Sequence, residues 1–146
     1  MPLTLIPETG AGLANANAFA SQAQVTAVLE ASPFAAAWAG VASDTRDQCI
    51  AEATAWLNRL RWDGVPTTLT QALAFPRAWL QSPEGYAIAS NSLPAWLVQA
   101  TARLAFWLSQ QTSTPFENTG LAPNTELALP GGVRLPPSRA RLHIQP

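Results

Sequence analysis

The sequence has 146 residues, enough for one domain with a buried core. Charged residues make up only 12%, against ~25% in an average chain, so polarity rests on amides and hydroxyls, while the 48% apolar content argues against a disordered body. A net charge of −1 excludes a strong overall field for nucleic acid or acidic membranes, although residues 1–58 carry −4 and residues 59–146 carry +3.

Residues 1–20 read as extended or looped chain, punctuated by Pro2, Pro7, Gly10 and Gly12. Ser21 is placed to cap a helix over Gln22–Ala31, with Val25, Val28 and Leu29 as its apolar stripe. Pro33 ends that helix or starts a short helical turn, Phe34–Ala39, which sets Phe34 and Trp38 four residues apart. Ser43 caps the clearest helix, Asp44–Arg61. Asp44 and Asp47 suit the positive end of its dipole, and Arg59 and Arg61 the negative end. Its inward face is Ile50, Ala53, Leu57 and Leu60, flanked by Cys49 and Trp56.

Gly64 and Pro66 break the chain, and residues 65–92 form a connection of a length that is uncommon unless it packs or functions. A second strong helix is predicted over Pro94–Gln110, with Ser92 as its cap. Leu97, Ala100, Leu104 and Leu108 line one face; Trp96, Arg103 and Trp107 line a neighbouring one. So broad an apolar arc predicts packing on most sides, in a core or against a partner. From Pro115 onward, six prolines in 32 residues exclude a lasting helix, and Thr125–Leu129 and Val133–Leu135 flank Pro130-Gly131-Gly132 as a short hairpin. The predicted fold is mainly α: a small helical bundle over residues 1–114 with a long packed loop, and an extended Pro/Gly-rich arm over residues 115–146.

The uncharged stretch Thr9–Leu29 is too polar and alanine-rich for a membrane span, and residues 1–45 hold no arginine or lysine for a signal peptide. No membrane association is expected. One histidine, His143, and one cysteine, Cys49, supply neither a nucleophilic triad nor a zinc site. The carboxylates are scattered, and no glycine pattern cradles a phosphate. No catalytic residue, cofactor or metal is expected, nor is an enzyme.

Two segments mix aromatics with arginine: Arg59-Leu60-Arg61-Trp62 and Phe75-Pro76-Arg77-Ala78-Trp79. Two readings are open. Arg61, Trp62, Arg77 and Trp79 form a stacking platform for single-stranded DNA, which requires binding that weakens steeply with salt. Alternatively, the tryptophans anchor a core or an interface and the arginines satisfy loop carbonyls.

Several blocks match one family in order. They are Gly12-Leu13 with Ala16-Asn17-Ala18-Phe19-Ala20-Ser21, then Ala53-Thr54-Ala55-Trp56-Leu57-Asn58 with Trp62-Asp63-Gly64. Gln71-Ala72-Leu73-Ala74-Phe75-Pro76-Arg77 follows, and then Gly85-Tyr86-Ala87-Ile88 with Leu93-Pro94 leading into Ala100 and Leu104-Ala105. Over residues 10–108 the sequence resembles tailed-phage head–tail connector (adaptor) proteins, many of which are described as DnaT-like single-stranded DNA-binding proteins. Phe75 and Trp56 stand where that family has Trp and Tyr, and the tail after Pro115 matches no block. The resemblance implies a structural adaptor in the virion, made in the host cytoplasm. It would form a homo-oligomeric ring, commonly of twelve copies, below the portal protein at the head–tail junction. Such a ring docks tail or neck proteins and passes genomic DNA through its channel. On this reading Trp96, Arg103, Trp107, Arg134, Arg139 and Arg141 make partner contacts, the last three with acidic groups. Single-stranded DNA binding stands as the alternative.

Overall fold

The computed structural model describes residues 2–111, together with the backbone of residues 127–128 and 134–135. The chain divides into two compact units, Met1–Gln110 and Gln111–Pro146. The first is mainly helical: α1 spans Gln22–Glu30, α2 Ala35–Ala39, α3 Ser43–Asn58 and α4 Ala95–Ser109. Strands β1 (Val65–Pro66) and β2 (Arg77–Ala78) pair antiparallel within the long connection. In the second unit, β3 (Leu127–Ala128) pairs antiparallel with β4 (Arg134–Leu135), within the predicted hairpin, whose Pro130-Gly131-Gly132 turn lies outside the described residues.

The N-terminal segment is tied down rather than loose. Glu8 N donates to Ala18 O and Asn17 N to Ile6 O, forming a parallel bridge between Pro7 and Ala18. The Glu8 carboxylate is buried and accepts from four backbone amides, those of Thr9, Gly10, Gly12 and Leu13, at 2.8–3.0 Å. Gly10, at φ +99°, passes so close to Asn91 that a Cβ would lie 2.3 Å from its carbonyl oxygen. Ser21 caps α1 as predicted, in a reciprocal box with Gln24.

α3 departs from its predicted bounds at both ends. Ala42, not Ser43, is the N-cap, and no side chain caps the helix. Ser43 instead accepts from Gln22 Nε2 on α1, as does Asp47, which lies beyond the first turn. The helix stops at Asn58, so Arg59 is its C-cap and Arg61 lies outside it. The last turn tightens through Leu60 N to Leu57 O. Leu60, placed in the core by periodicity, is therefore exposed.

α4 packs mainly on α3 and then on α1. Its buried residues are Leu97, Thr101, Ala102, Ala105 and Leu108. Ala100 and Leu104 are only half-buried, because the small residues Ala102 and Ala105 turn inward where the helices approach closely. Thr101 is accommodated there by donating its hydroxyl to Leu97 O at 2.8 Å. One hydrophobic cluster gathers Val25, Leu29, Trp38, Ile50, Ala53 and Ala105 between the helices. A second joins Phe19, Phe75, Leu80 and Leu97, and fixes the long connection to α4.

Candidate nucleic-acid interface

The connection between α3 and α4 is held by side chains donating to and accepting from its own backbone. Gln71 accepts from Thr68 N and donates to Leu73 O and Pro76 O at 2.8–3.0 Å. Asn58, at the end of α3, accepts from Ala74 N. The Arg77 guanidinium donates to four carbonyls, those of Trp62, Asp63, Gly64 and Ala74, at 2.7–3.3 Å. Arg77 is therefore removed from the predicted DNA platform: its planar fork is spent on the loop. The Phe75–Pro76 peptide bond is cis.

Around this loop the aromatic residues form a connected cluster. The Trp62 ring lies 5.1 Å from Phe75 and 5.6 Å from Trp96, and Phe75 lies 5.7 Å from Trp96. The edge-to-face geometry of the two Phe75 contacts is the favourable arrangement for ring quadrupoles. Trp62 is half-buried and donates its indole N–H to Leu57 O at 2.9 Å, so it serves as packing support, not as a free platform. Trp96 closes the cluster from the first turn of α4 and is 43% exposed. With the turn at residues 81–84 these rings line a groove of about 730 Å³.

That turn is built by hydrogen bonds. Ser82 N donates to Tyr86 O, Gly85 N to Ser82 O and Ile88 N to Leu80 O, all at 2.8–2.9 Å. Tyr86 is 75% exposed at its tip. Trp79, which precedes it, is 85% exposed and sits at φ +65°, a backbone region that residues other than glycine rarely occupy.

The solvent face of α4 carries the second feature. Trp96, Arg103 and Trp107 fall within one stripe, at spacings of seven and four residues. All three are exposed, Trp107 by 49%. At a rise of about 1.5 Å per residue the two indoles stand about 16 Å apart along the helix, with Arg103 between them. Arg103 and Trp107 also border a smaller hollow of about 270 Å³ with Phe34 and Phe106, whose rings stack at 4.9 Å.

Of the remaining predicted residues, Arg61 is exposed beside Trp62. Arg134 lies in β4, where only the backbone is described, and Arg139 and Arg141 lie outside the described residues. The structure thus brings Trp62 and Trp96 together, which the sequence reading had assigned to different roles. It commits the Arg77 guanidinium to the loop carbonyls. Tyr86 was missed as an exposed ring; its signal was the Pro83-Glu84-Gly85 turn before it. Cys49 is half-buried, and burial followed by the nearby Glu52 pushes its thiol up. Among the described residues no group of acids, cysteine and histidine is arranged to hold a metal ion, and no helix is long and apolar enough to cross a membrane.

Fold and surface together define a small, mainly helical domain with aromatic and cationic side chains on one helix face beside an aromatic groove. The chain belongs to the family described as "Putative DnaT-like ssDNA binding protein", whose family model matches residues 3–126. No curated protein matches the chain, and no solved structure matches it. The family is described by single-stranded DNA binding, and nothing in the match points to a phage head–tail connector. The assignment to that connector family, and the reading of the chain as a structural adaptor of a virion, are corrected on that ground.

Proposed function

We propose that this protein binds single-stranded DNA along the solvent face of α4. The observation that carries the proposal is the stripe of Trp96, Arg103 and Trp107: two half-exposed indoles with one guanidinium between them on a helix that buries its opposite face. Unpaired bases stack on such rings whatever their sequence, while a cation between the stacking points meets the connecting phosphates. The family description supports the same reading. A duplex, whose bases are already stacked on one another, gains nothing from exposed indoles.

Tryptophan fluorescence titration with a mixed-sequence oligonucleotide, single-stranded and as its duplex, tests this. The single strand is expected to quench the indoles and to bind more tightly than the duplex. Trp96→Ala and Trp107→Ala are each expected to weaken binding by about 1–3 kcal/mol, the usual worth of one stacked base. Equal affinity for duplex and single strand, or full binding by the double variant, overturns the assignment.

A further inference from the structure

The hollow at the Trp107 end of the stripe has walls that the stripe itself does not supply. Phe106 on α4 and Phe34, the residue before α2, bring their rings together at 4.9 Å, only 22° from parallel. Phe34 packs in this way and still leaves 43% of its surface to solvent. The turn that carries it is pinned. Ser32 donates its hydroxyl to Leu29 O at 2.7 Å and accepts from Phe34 N at 3.3 Å. Leu29, itself buried, completes the apolar lining. Arg103, Trp107 and Gln110 follow at spacings of four and three residues along one face of α4 and border the opening. Among the described residues no carboxylate lines this hollow, whereas Asp63 and Glu84 line the larger groove beside Trp96. Its one charge is the Arg103 guanidinium, whose fork suits a phosphate.

Resting on the single-stranded DNA reading, we propose that this hollow receives one unpaired nucleotide of the bound strand, its base among Phe34, Phe106 and Trp107 and its phosphate at the rim on Arg103. Aromatic side chains hold splayed bases by stacking, and every base has a face to offer them. The volume of about 270 Å³ falls just below the ~300–1,000 Å³ of sites that take drug-sized molecules, so it suits a single ring system. The Gln110 carboxamide uses one N–H on Ser109 Oγ at 3.1 Å and keeps a second N–H and a carbonyl oxygen. It can therefore meet either a donor or an acceptor on a base edge, and it selects no base. The DNA-binding surface thus extends from α4 to the junction of α1 and α2, and Phe34 becomes a DNA contact from outside the helix that carries the stripe.

The test uses the full chain and a thymidine homo-oligomer, with indole quenching as the readout. Phe34→Leu keeps an apolar side chain but removes the ring, and is expected to weaken binding about ten-fold, within the range that one stacked base supplies. Phe34→Tyr restores the ring and is expected to restore the affinity. A second measurement needs no variant. Thymidine 5′-monophosphate bound to the parent chain is expected to show nuclear Overhauser contacts from its thymine methyl to the ring protons of Phe34 and Phe106. It is also expected to bind more tightly than thymidine, and Arg103→Gln to close that gap. Oligomer binding that ignores Phe34→Leu but falls in Trp96→Ala and Trp107→Ala overturns the hollow and leaves the stripe standing. Absence of contacts to Phe34 in the bound monophosphate also overturns the hollow alone. Failure of the oligomer to bind overturns both readings.

Discussion

Glu8 shows how a single side chain organises a segment that has no regular structure. One carboxylate oxygen accepts from three backbone amides and the other from a fourth, so residues 8–13 fold around a buried anion. Glu8→Gln keeps the size but replaces one acceptor oxygen with a donor. The variant is expected to lose about 1–3 kcal/mol of stability, read by chemical denaturation, because a backbone N–H is left facing an N–H. An unchanged midpoint would show that the loop is held by Asn17 and the Pro7–Ala18 bridge alone. Trp79 poses the opposite case. Its indole is 85% exposed on a left-handed backbone, so its conformation costs strain without a matching return from burial. Trp79→Gly relieves that strain and adds a comparable entropy to the unfolded chain. The melting temperature is expected to stay essentially unchanged, and a fall of several degrees would reveal packing by the indole.

At the scale of elements, the matched blocks turn out to encode the connection between α3 and α4. Thr54 accepts from Phe19 N at 3.0 Å, Asn58 and Gln71 hold the loop backbone, and Arg77 gathers four carbonyls. Gly64 sits at φ +73°, where a Cβ would approach Ala78 O to 2.3 Å, so only glycine lets β1 meet β2. Arg77→Lys retains the charge but not the fork. It is expected to lower stability by about 1–3 kcal/mol, through carbonyls left unpaired, while the salt dependence of DNA binding stays that of the parent. A shallower salt dependence in Arg77→Lys would return this residue to the DNA contact. Helix positions were legible because hydrophobic periodicity and the Ser21 cap are local signals. Helix ends were less so: α3 stops at Asn58 because that side chain turns to Ala74, a partner sixteen residues away.

At the scale of the molecule, both hydrophobic clusters lie within the first unit among the described residues. A chain ending at Gln111 is therefore expected to keep its helical circular dichroism and a cooperative melt. A non-cooperative melt would show that the second unit is needed to complete the first. The division of charge between the halves was visible in the sequence. Which arginines remain available to a ligand was not, because Arg61 and Arg77 look alike as letters and differ only in the carbonyls around them.

The sequence by itself determined the mainly helical class, the order of the four helices, the buried stripe of α1 and the short antiparallel pairing of residues 127–128 with 134–135. These follow from periodicity, capping and the conformational limits of proline and glycine, all of which act within a few residues. Only the tertiary structure decided that Arg77 staples a loop, that Trp62 backs Trp96, and that Trp96, Arg103 and Trp107 form the outward face of α4. The reason is physical: whether an aromatic or an arginine meets solvent depends on which distant backbone and rings fold against it, and periodicity places residues on a helix face without saying what covers that face.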